Sequence, residues 1–272
     1  MTIGAMTHFG FGPENNPGTL ATISRFLDPT SADIDDKFPR KAIATMREDR
    51  SQIRSVQELT SVAFTMACPL YYNSLPYWIK QTLGAATAAA GTGSATGVIT
   101  HTFQGADTLP SSSLEIGYTA ALAKTAAGCK AGKMTIKASA GEPADFSLDG
   151  LGICTATGTP ATGVTLPGDD NIAAFAHASV TFDGTANEDV ISADVSIDNS
   201  LAAVKTLNGT AFVQRIEDGV RKLSIGLDMD FQDWEIYQYS INATQVAVHL
   251  VFTSNIIVAA SIPFSMNIDM PN

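Results

Sequence analysis

The sequence has 272 residues, of which 45% are hydrophobic and 16% charged, a globular composition long enough for one large domain or two small ones. The 27 acidic and 16 basic residues give a net charge of −11, which disfavours tight binding to the phosphates of a nucleic acid. The three cysteines show no CxxC spacing, so the sequence indicates neither a disulfide framework nor a zinc knuckle, and it favours synthesis in a reducing cytoplasm.

The N-terminal part of the chain is expected to be irregular. Residues 1–40 contain four prolines and several glycines and asparagines but no sustained hydrophobic period, which predicts an N-terminal arm. Residues 43–54 are the most charged stretch, and a solvated loop is their simplest interpretation. A contact with another subunit is the alternative, and its candidate residues are Arg47, Glu48, Asp49, Arg50 and Arg54.

A short helix is predicted next, in NSLPYWIKQTLG around Trp78, because Ser74 can cap its start and Gly84 can end it. The low-complexity insert AATAAAGTGSATG follows, and its GTGSATG part predicts a flexible loop. The segment VITHTF then predicts a strand. Its His101 is interpreted as structural, because the four histidines lack the spacing of metal ligands.

Period-two alternation is the main signal in the rest of the chain. In KLSIGLDMDF the large apolar residues from Leu223 to Phe231 fall at every second position, which predicts a half-buried antiparallel strand. The same alternation occurs in KMTIKAS, DFSLDGL, ASVTFDG and SADVSID. The Asp-Gly pairs in EDGVR and FDGT predict tight hairpins. The protein is therefore expected to be mainly β.

Residues 155–171 are rich in Gly, Thr and Pro and predict a loop or linker between a β-rich half-domain, 41–154, and a second one, 172–272. The second half contains another predicted helix, QDWEIYQYSIN, with Trp234, followed by a strand with His249. Because the first half has the same order of tryptophan helix and histidine strand, an internally duplicated domain is one interpretation. Both tryptophans are expected to pack against a sheet.

No catalytic or nucleotide-binding motif is found, since GxSxG, GxGxxG and Walker loops are absent. Asp228 and Asp230 could be read as the carboxylate pair of a glycosidase, but the alternation places both on the polar face of a strand, where solvated acids are common. No run of about 18 apolar residues suggests a membrane-spanning helix. We therefore expect that the protein is not an enzyme and has no metal, cofactor or membrane partner.

Four segments, in order, resemble the major tail tube proteins of long-tailed, siphovirus-like bacteriophages: HFGFGPENNPGTLATISRFL, HTFQGADTLPSSSLEIGY, GCKAGKMTIKASAGEPADFSLDGLG and ISADVSIDNSLAAV. Gly12, Glu14 and Gly18 stand where one group of the family has a glycine, a glutamate and a second glycine. The HTF and LP of the second segment match the family's central hairpin, and the third segment matches its alternating strand.

The resemblance implies a β-sandwich or half-barrel with short flanking helices, whose copies join their sheets into a closed ring. Stacked rings would form the tail tube, through which genome DNA is ejected without tight binding. The ring is expected to be a hexamer, or a trimer of pseudo-sixfold symmetry if the domain is duplicated. Apolar edges in residues 56–72 and 246–252 are candidates for strand pairing between copies.

The implied partners are the protein itself and other tail proteins such as the tape measure, the terminator and the tip, in the virion tail after synthesis in the host cytoplasm. The N-terminal arm and the charged loop are candidates for contacts between rings. The candidate lumen-facing acids are Asp194, Asp198, Asp228 and Asp230, with the outer surface as the alternative. Two other functions stay open: another β-rich virion component, such as a capsid decoration or tail-tip protein, and a carbohydrate-binding β-sandwich.

Overall fold

The protein is mainly β, as predicted, in a computed structural model that describes residues 8–43, 54–168, 172–207, 209–232, 234–242, 244–259 and 261–270. Ten of its strands are connected by hydrogen bonds. They divide into a five-stranded and a six-stranded sheet that share one long strand, β10 (Leu122–Ser139).

The five-stranded sheet is antiparallel and uses the first half of β10. Its other strands are β1 (His8–Pro13), β2 (Arg25–Leu27), β9 (Ser112–Thr119) and β12 (Cys154–Gly158). Their order is β2-β1-β9-β10-β12.

The six-stranded sheet uses the second half of β10. Its other strands are β3 (Ser31–Lys37), β6 (Ser61–Pro69), β11 (Asp145–Gly152), β15 (Val190–Asp198) and β18 (Lys222–Met229). Their order is β18-β15-β10-β11-β6-β3, and every neighbouring pair is antiparallel. Among the described residues, β18 and β3 each pair with one strand only, so they are the two edges of this sheet.

Strand β10 passes from one sheet to the other at a bulge near Gly128. The register of its pairing with β9 shifts between Ala126 and Cys129. Gly128 has a φ of 68°, and a Cβ there would lie 2.6 Å from the Ile153 side chain. Only glycine fits this bend, which lets one strand serve both sheets.

The core lies between the two sheets, and helix α1 (Leu75–Leu83) completes it. As predicted, the helix begins after Ser74 and ends at Gly84, whose φ of 98° suits a glycine. The Trp78 ring is buried, with ring centroids 5.0 Å from Phe11 and 6.5 Å from Phe146. Because Phe11 and Phe146 come from different sheets, Trp78 joins the two layers.

A third sheet packs onto the same core. Its strands are β13 (Ala178–Phe182), β14 (Thr185–Asn187), β19 (Val248–Ala259) and β20 (Ile262–Met270), in the order β14-β13-β19-β20. Leu250 and Phe252 of β19 are buried in the core, and the Phe264 ring stacks on Tyr72 at 5.9 Å between centroids.

Three two-stranded hairpins and a second helix lie around this body. The hairpins are β4 (Arg40–Ile43) with β5 (Arg54–Gln57), β7 (Gly84–Ala90) with β8 (Ile99–Gly105), and β16 (Ala202–Val204) with β17 (Arg215–Glu217). The second helix is α2 (Glu235–Ile241), and short 3-10 turns occur at Gly93–Ala95 and Phe175–His177. No helix in the described part of the chain has the length and apolar character needed to cross a membrane.

An ion pair fastens the β3 edge to the five-stranded sheet. The Lys124 ammonium of β10 contacts the Asp36 carboxylate of β3, which also accepts a hydrogen bond from the Thr155 hydroxyl of β12 at 3.2 Å. The hydrogen bond from Lys124 is the main reason why the pKa of Asp36 lies below its ordinary value.

The expected irregular arm is not observed for residues 8–37, which contain β1, β2 and β3 with Phe9 and Phe11 in the core. The expected linker is partly ordered as well, since residues 155–158 belong to β12. Pairing of β15 with β10 crosses the boundary expected at residues 155–171, so the proposed half-domains do not correspond to separate sheets.

The prediction that residues 56–72 and 246–252 contain edges that pair between copies is wrong, because their strands β6 and β19 each have a partner on both sides. A proline at Val248 would therefore break a ladder inside the subunit. The predicted hairpin at FDGT is confirmed, with Asp183 and Gly184 at φ of 46° and 84°. The one at EDGVR is wrong, because β17 pairs with β16 and β18 with β15.

Candidate functional site

The six-stranded sheet has one apolar and one polar face. The side chains at alternate positions, such as Ile136, Phe146 and Val195, are buried in the core. The intervening residues form a surface that we call the polar face, and none of its side chains is buried. Its charged residues are Asp33, Asp35, Asp145, Asp149, Asp194, Asp198, Asp228, Lys37, Lys133, Lys137 and Lys222.

The lysines of the polar face alternate with aspartates across the strands. Lys133 of β10 is opposite Asp149 on β11 and Asp198 on β15. Lys137 is likewise opposite Asp145 on one side and Asp194 on the other. Side chains directly opposite each other on antiparallel strands lie close enough to interact. The seven carboxylates and four lysines leave an excess of three negative charges, and carboxylates flank the central lysines.

Asp149 is the polar-face carboxylate whose ionisation is most perturbed by its surroundings. Partial burial raises the pKa of Asp149, nearby Lys133 lowers it, and the negative charge of Asp198 raises it further. A carboxyl group with a raised pKa binds a proton more readily in the folded protein than in the unfolded chain. Its ionised form therefore lowers the free energy of unfolding at neutral pH.

We expect Asp149→Asn to increase the free energy of unfolding at pH 7, because the amide needs no ionisation at a position where the surroundings disfavour the charged carboxylate. The gain should shrink as the pH falls and vanish below the ordinary aspartate pKa of 3.8, where the native carboxyl is protonated in both states. Urea unfolding of the monomeric protein at pH 7 and pH 3 measures this difference. Asp145→Asn, which removes a carboxylate opposite Lys137 on the same strand and face, is the control. An equal gain from the control would contradict the role of the local surroundings of Asp149.

The sequence matches the family described as phage tail tube protein over residues 4–267, nearly the whole chain. The chain belongs to the phage tail tube protein family. It is thus a structural protein of the phage tail. No curated protein matches the chain at a meaningful level of similarity.

Three of the four acids expected to face the lumen of the tail tube are brought together on the polar face: Asp194, Asp198 and Asp228. Asp198 also accepts a hydrogen bond from the Ser200 backbone N–H at 2.7 Å, which orders the turn after β15. Asp230 lies beyond the end of β18, where its carboxylate accepts a hydrogen bond from Gln232 at 2.7 Å.

Most of the charged loop of this tail tube protein, including Arg47, Glu48, Asp49 and Arg50, lies outside the residues that the structure describes. Arg54 is the first residue of β5, and its backbone pairs with Ile43 at the end of the exposed strand β4. The assignment of this loop to contacts between rings stays a prediction.

Glu14, one of the residues that carry the family resemblance, fastens the N-terminal segment to the sheets. One carboxylate oxygen accepts hydrogen bonds from the Gly128 backbone N–H at 2.8 Å and the Ser113 hydroxyl at 2.7 Å. The other accepts one from the Gly18 N–H at 3.0 Å. Glu14 therefore holds the loop after β1 against the bulge at which β10 changes sheets. Its role is structural.

The histidines also have structural surroundings. His101 is exposed on β8, where it pairs with Ala88 and its ring lies 6.2 Å from that of Phe103. His8 is buried, and its Nε2 lies 2.8 Å from the Glu115 carboxylate, which also accepts the Ala161 N–H at 2.9 Å. No group of three or more potential metal ligands occurs among the residues that the structure describes.

Sequence reasoning missed most of the polar face, including Lys133, Lys137 and Asp149. The signal was present, because KMTIKAS and DFSLDGL show the same alternation as the segments that supplied the predicted acids. What the sequence did not indicate is that these two strands lie side by side with β15 in one sheet.

Proposed function

We propose that the protein is the subunit of the phage tail tube, that its copies close into rings, and that the stacked rings form the conduit for DNA ejection. The observation that carries this proposal is the six-stranded sheet, which has one polar face and two edges, β18 and β3, that pair with no further strand among the described residues. An open sheet edge presents backbone donors and acceptors that another chain can pair with. A ring satisfies both edges of every copy.

The strand directions favour such a ring. Six strands that are all antiparallel to their neighbours leave the two edges running in opposite directions. Rotation about an axis along the strands brings β3 of one copy beside β18 of the next without reversing either. The junction would therefore be antiparallel, like every other pairing in the sheet, and the closed sheet would have no edge.

The position of the other two sheets favours the polar face as the surface that lines the lumen. The five-stranded sheet and the third sheet both share the core on the apolar side of the six-stranded sheet. Rings are closed more easily with the bulky side outward. The polar face, with its three excess negative charges, would then surround the DNA, and like charge at short range would keep the phosphates hydrated.

Exposed apolar side chains next to β18 also support a neighbour at this edge. Leu223 is 56% exposed, and the segment after the strand, which leads into α2, presents Phe231, Trp234 and Tyr237, each more than half exposed. Trp234, expected to pack against a sheet, instead contacts the two other rings at 5.2 Å between centroids. Aromatic side chains of this size contribute strongly when an interface buries them.

The two tryptophan segments of the chain differ in structure, since Trp78 is 4% exposed and Trp234 is 63% exposed. They give no support to two equivalent half-domains, and we therefore propose a hexameric ring. The further partners proposed are the tape measure, terminator and tip proteins of the same tail. We propose no catalytic activity and no cofactor.

Negative-stain electron microscopy of the purified protein tests this function. We expect sixfold rings and tubes of uniform diameter, because one kind of junction, β18 with β3, joins all the identical copies. Threefold rings would contradict the hexamer alone. Monomers or isolated spikes at all protein concentrations would contradict the tube and favour a capsid decoration or tail-tip protein, and binding to a glycan array would favour the carbohydrate-binding alternative.

A further inference from the structure

Hairpin β7–β8 has an exposed apolar face. One face carries Ala86, Ala88 and Ala90 opposite Phe103, His101 and Ile99, whereas the other carries alanine, threonine and glutamine. Exposure increases from the base to the tip along β7, and Ile99, the residue of β8 nearest the tip, is 60% exposed. An isolated two-stranded hairpin is only marginally stable in water, so a partner surface would stabilise it.

The base of this hairpin is held firmly at the C-terminal end of α1. The Arg221 guanidinium donates hydrogen bonds to the carbonyl oxygens of Leu83 at 3.1 Å and Ala106 at 3.0 Å, and to the Asn199 side chain at 3.0 Å. Asn199 in turn donates to the carbonyl oxygens of Thr82 and Ala131, each at 3.0 Å. The hairpin therefore leaves the body at a fixed position.

A groove lies at the opposite end of the same helix. It has a volume of about 240 Å³, the space of about eight liquid waters, and it is open to solvent between β2, the start of α1 and residues 163–167. Its walls include Tyr77, Trp78 and Leu166. The charged residue of the lining is Arg25, whose guanidinium lies 4.3 Å from the centre of the Tyr77 ring.

We propose that the groove receives the apolar face of hairpin β7–β8, with Ile99 as its anchor, from a second copy of this chain in the adjacent ring. Three observations point to this occupant. The segment from Gln81 to Ala106 contains no Asp, Glu, Lys or Arg, and a hairpin with one apolar face suits a groove whose lining is mostly uncharged and includes aromatic and aliphatic side chains. Hairpin and groove lie toward opposite ends of α1, a helix about 13 Å long.

The third observation is that hairpin and groove are different surfaces of one chain. A contact between two different surfaces of identical copies repeats without closing when the copies are displaced along an axis. That is the geometry of ring stacking, and the inference therefore rests on the proposed tube. It adds a contact between successive rings to the contact between neighbouring copies within one ring, which β18 and β3 would form.

Charge substitutions at the hairpin test the contact. Ile99 is exposed in the subunit, so we expect Ile99→Lys and Ile99→Asp to fold with unchanged melting temperatures. In the groove, a lysine at position 99 would be repelled by the positive charge of Arg25, whereas an aspartate could form an ion pair with it. We expect Ile99→Lys to reduce the mean tube length at least tenfold while leaving rings intact, and Ile99→Asp to reduce it much less. Electron microscopy measures both.

Matched controls make the result decisive. Thr100 is the next residue, exposed on the other face of the hairpin, and Thr100→Lys should form tubes of normal length. In an Arg25→Gln background the difference between Ile99→Lys and Ile99→Asp should disappear. Full-length tubes from Ile99→Lys, equal shortening by Thr100→Lys, or a difference that persists without Arg25 would each overturn the groove contact without affecting the ring. Absence of rings from the wild-type protein would instead overturn the proposed tube.

Discussion

Leu223→Asp should leave the subunit folded but abolish ring formation. Leu223 points to the apolar side of edge strand β18, opposite Ile197 of β15, and has no described strand on its other side. With 56% of the residue exposed, a carboxylate there stays hydrated in the monomer, and we expect the free energy of unfolding to change by less than about 0.5 kcal/mol.

In the ring, β3 of the next copy would cover that carboxylate. An unpaired buried charge costs at least about 3 kcal/mol, which corresponds to a factor of about 100 in the association constant of each junction. Sedimentation velocity over a range of protein concentrations measures the loss of assembly, and urea unfolding verifies the fold.

Ser224→Asp is the matched control, because it adds the same charge to the next residue of β18 on the polar face. We expect this variant to form rings, since its carboxylate would face the water of the lumen. Rings from Leu223→Asp at wild-type concentrations would contradict the pairing of β18 with β3. Loss of rings in both variants would indicate that any charge on this strand interferes, and would contradict the assignment of its two faces.

Asp194→Lys combined with Asp228→Lys should slow DNA ejection from assembled virions. The double substitution changes the polar face from three excess carboxylates to one excess lysine. Each lysine that is no longer flanked by carboxylates can bind a phosphate and release a counterion from the DNA. Repeated over every subunit of the tube, these weak contacts should retard the moving DNA while leaving the assembly intact.

The dependence of the ejection rate on salt concentration shows whether contacts with DNA phosphates cause the slowing. Because phosphate contacts weaken as the salt concentration rises, ejection by the variant should approach the wild-type rate at high salt. Ejection triggered in vitro, followed with a fluorescent DNA dye, measures the rate. Asp107→Lys with Glu188→Lys makes the same change in net charge at exposed residues outside the six strands that form the polar face. Equal slowing by this control, or no slowing by the test pair, would contradict an acidic lumen formed by the polar face.

The strands with alternating patterns could be predicted because an antiparallel sheet with one buried face imposes a period of two. Val195 and Ile197 of β15 and Phe146 and Leu148 of β11 are buried as the alternation requires. Alternation identifies the face of each strand but not its neighbour. The polar face, whose charges come from strands far apart in sequence, could therefore be predicted only in part.

Strand β1 was missed because its glycines resemble signals for irregular structure. In HFGFGP the phenylalanines enter the core, whereas the glycines face residues 22–23 of the returning chain. A Cβ on Gly10 would lie 2.4 Å from the Ile23 side chain, and one on Gly12 would lie 2.3 Å from the Thr22 carbonyl oxygen. The glycines therefore allow close packing within a regular strand.

The error at Trp234 has a different cause. Helical periodicity shows that a helix has an apolar face, but it does not show whether the same chain covers that face. Trp78 is covered by Phe11 and Phe146, whereas the Trp234 ring contacts Phe231 and Tyr237, which are themselves exposed. In the proposed ring, another copy would cover part of the apolar surface that one subunit leaves exposed.

The strand that belongs to both sheets has a mechanical consequence. Layers joined only by side-chain packing can slide over each other under load, but β10 carries covalent backbone from the five-stranded sheet into the six-stranded sheet through the bulge at Gly128. A force applied to either layer is therefore transmitted to the other along the main chain. Each subunit should therefore resist shear between its two sheets. In the proposed tube, the two sheets of the wall should bend together, which would keep the lumen open.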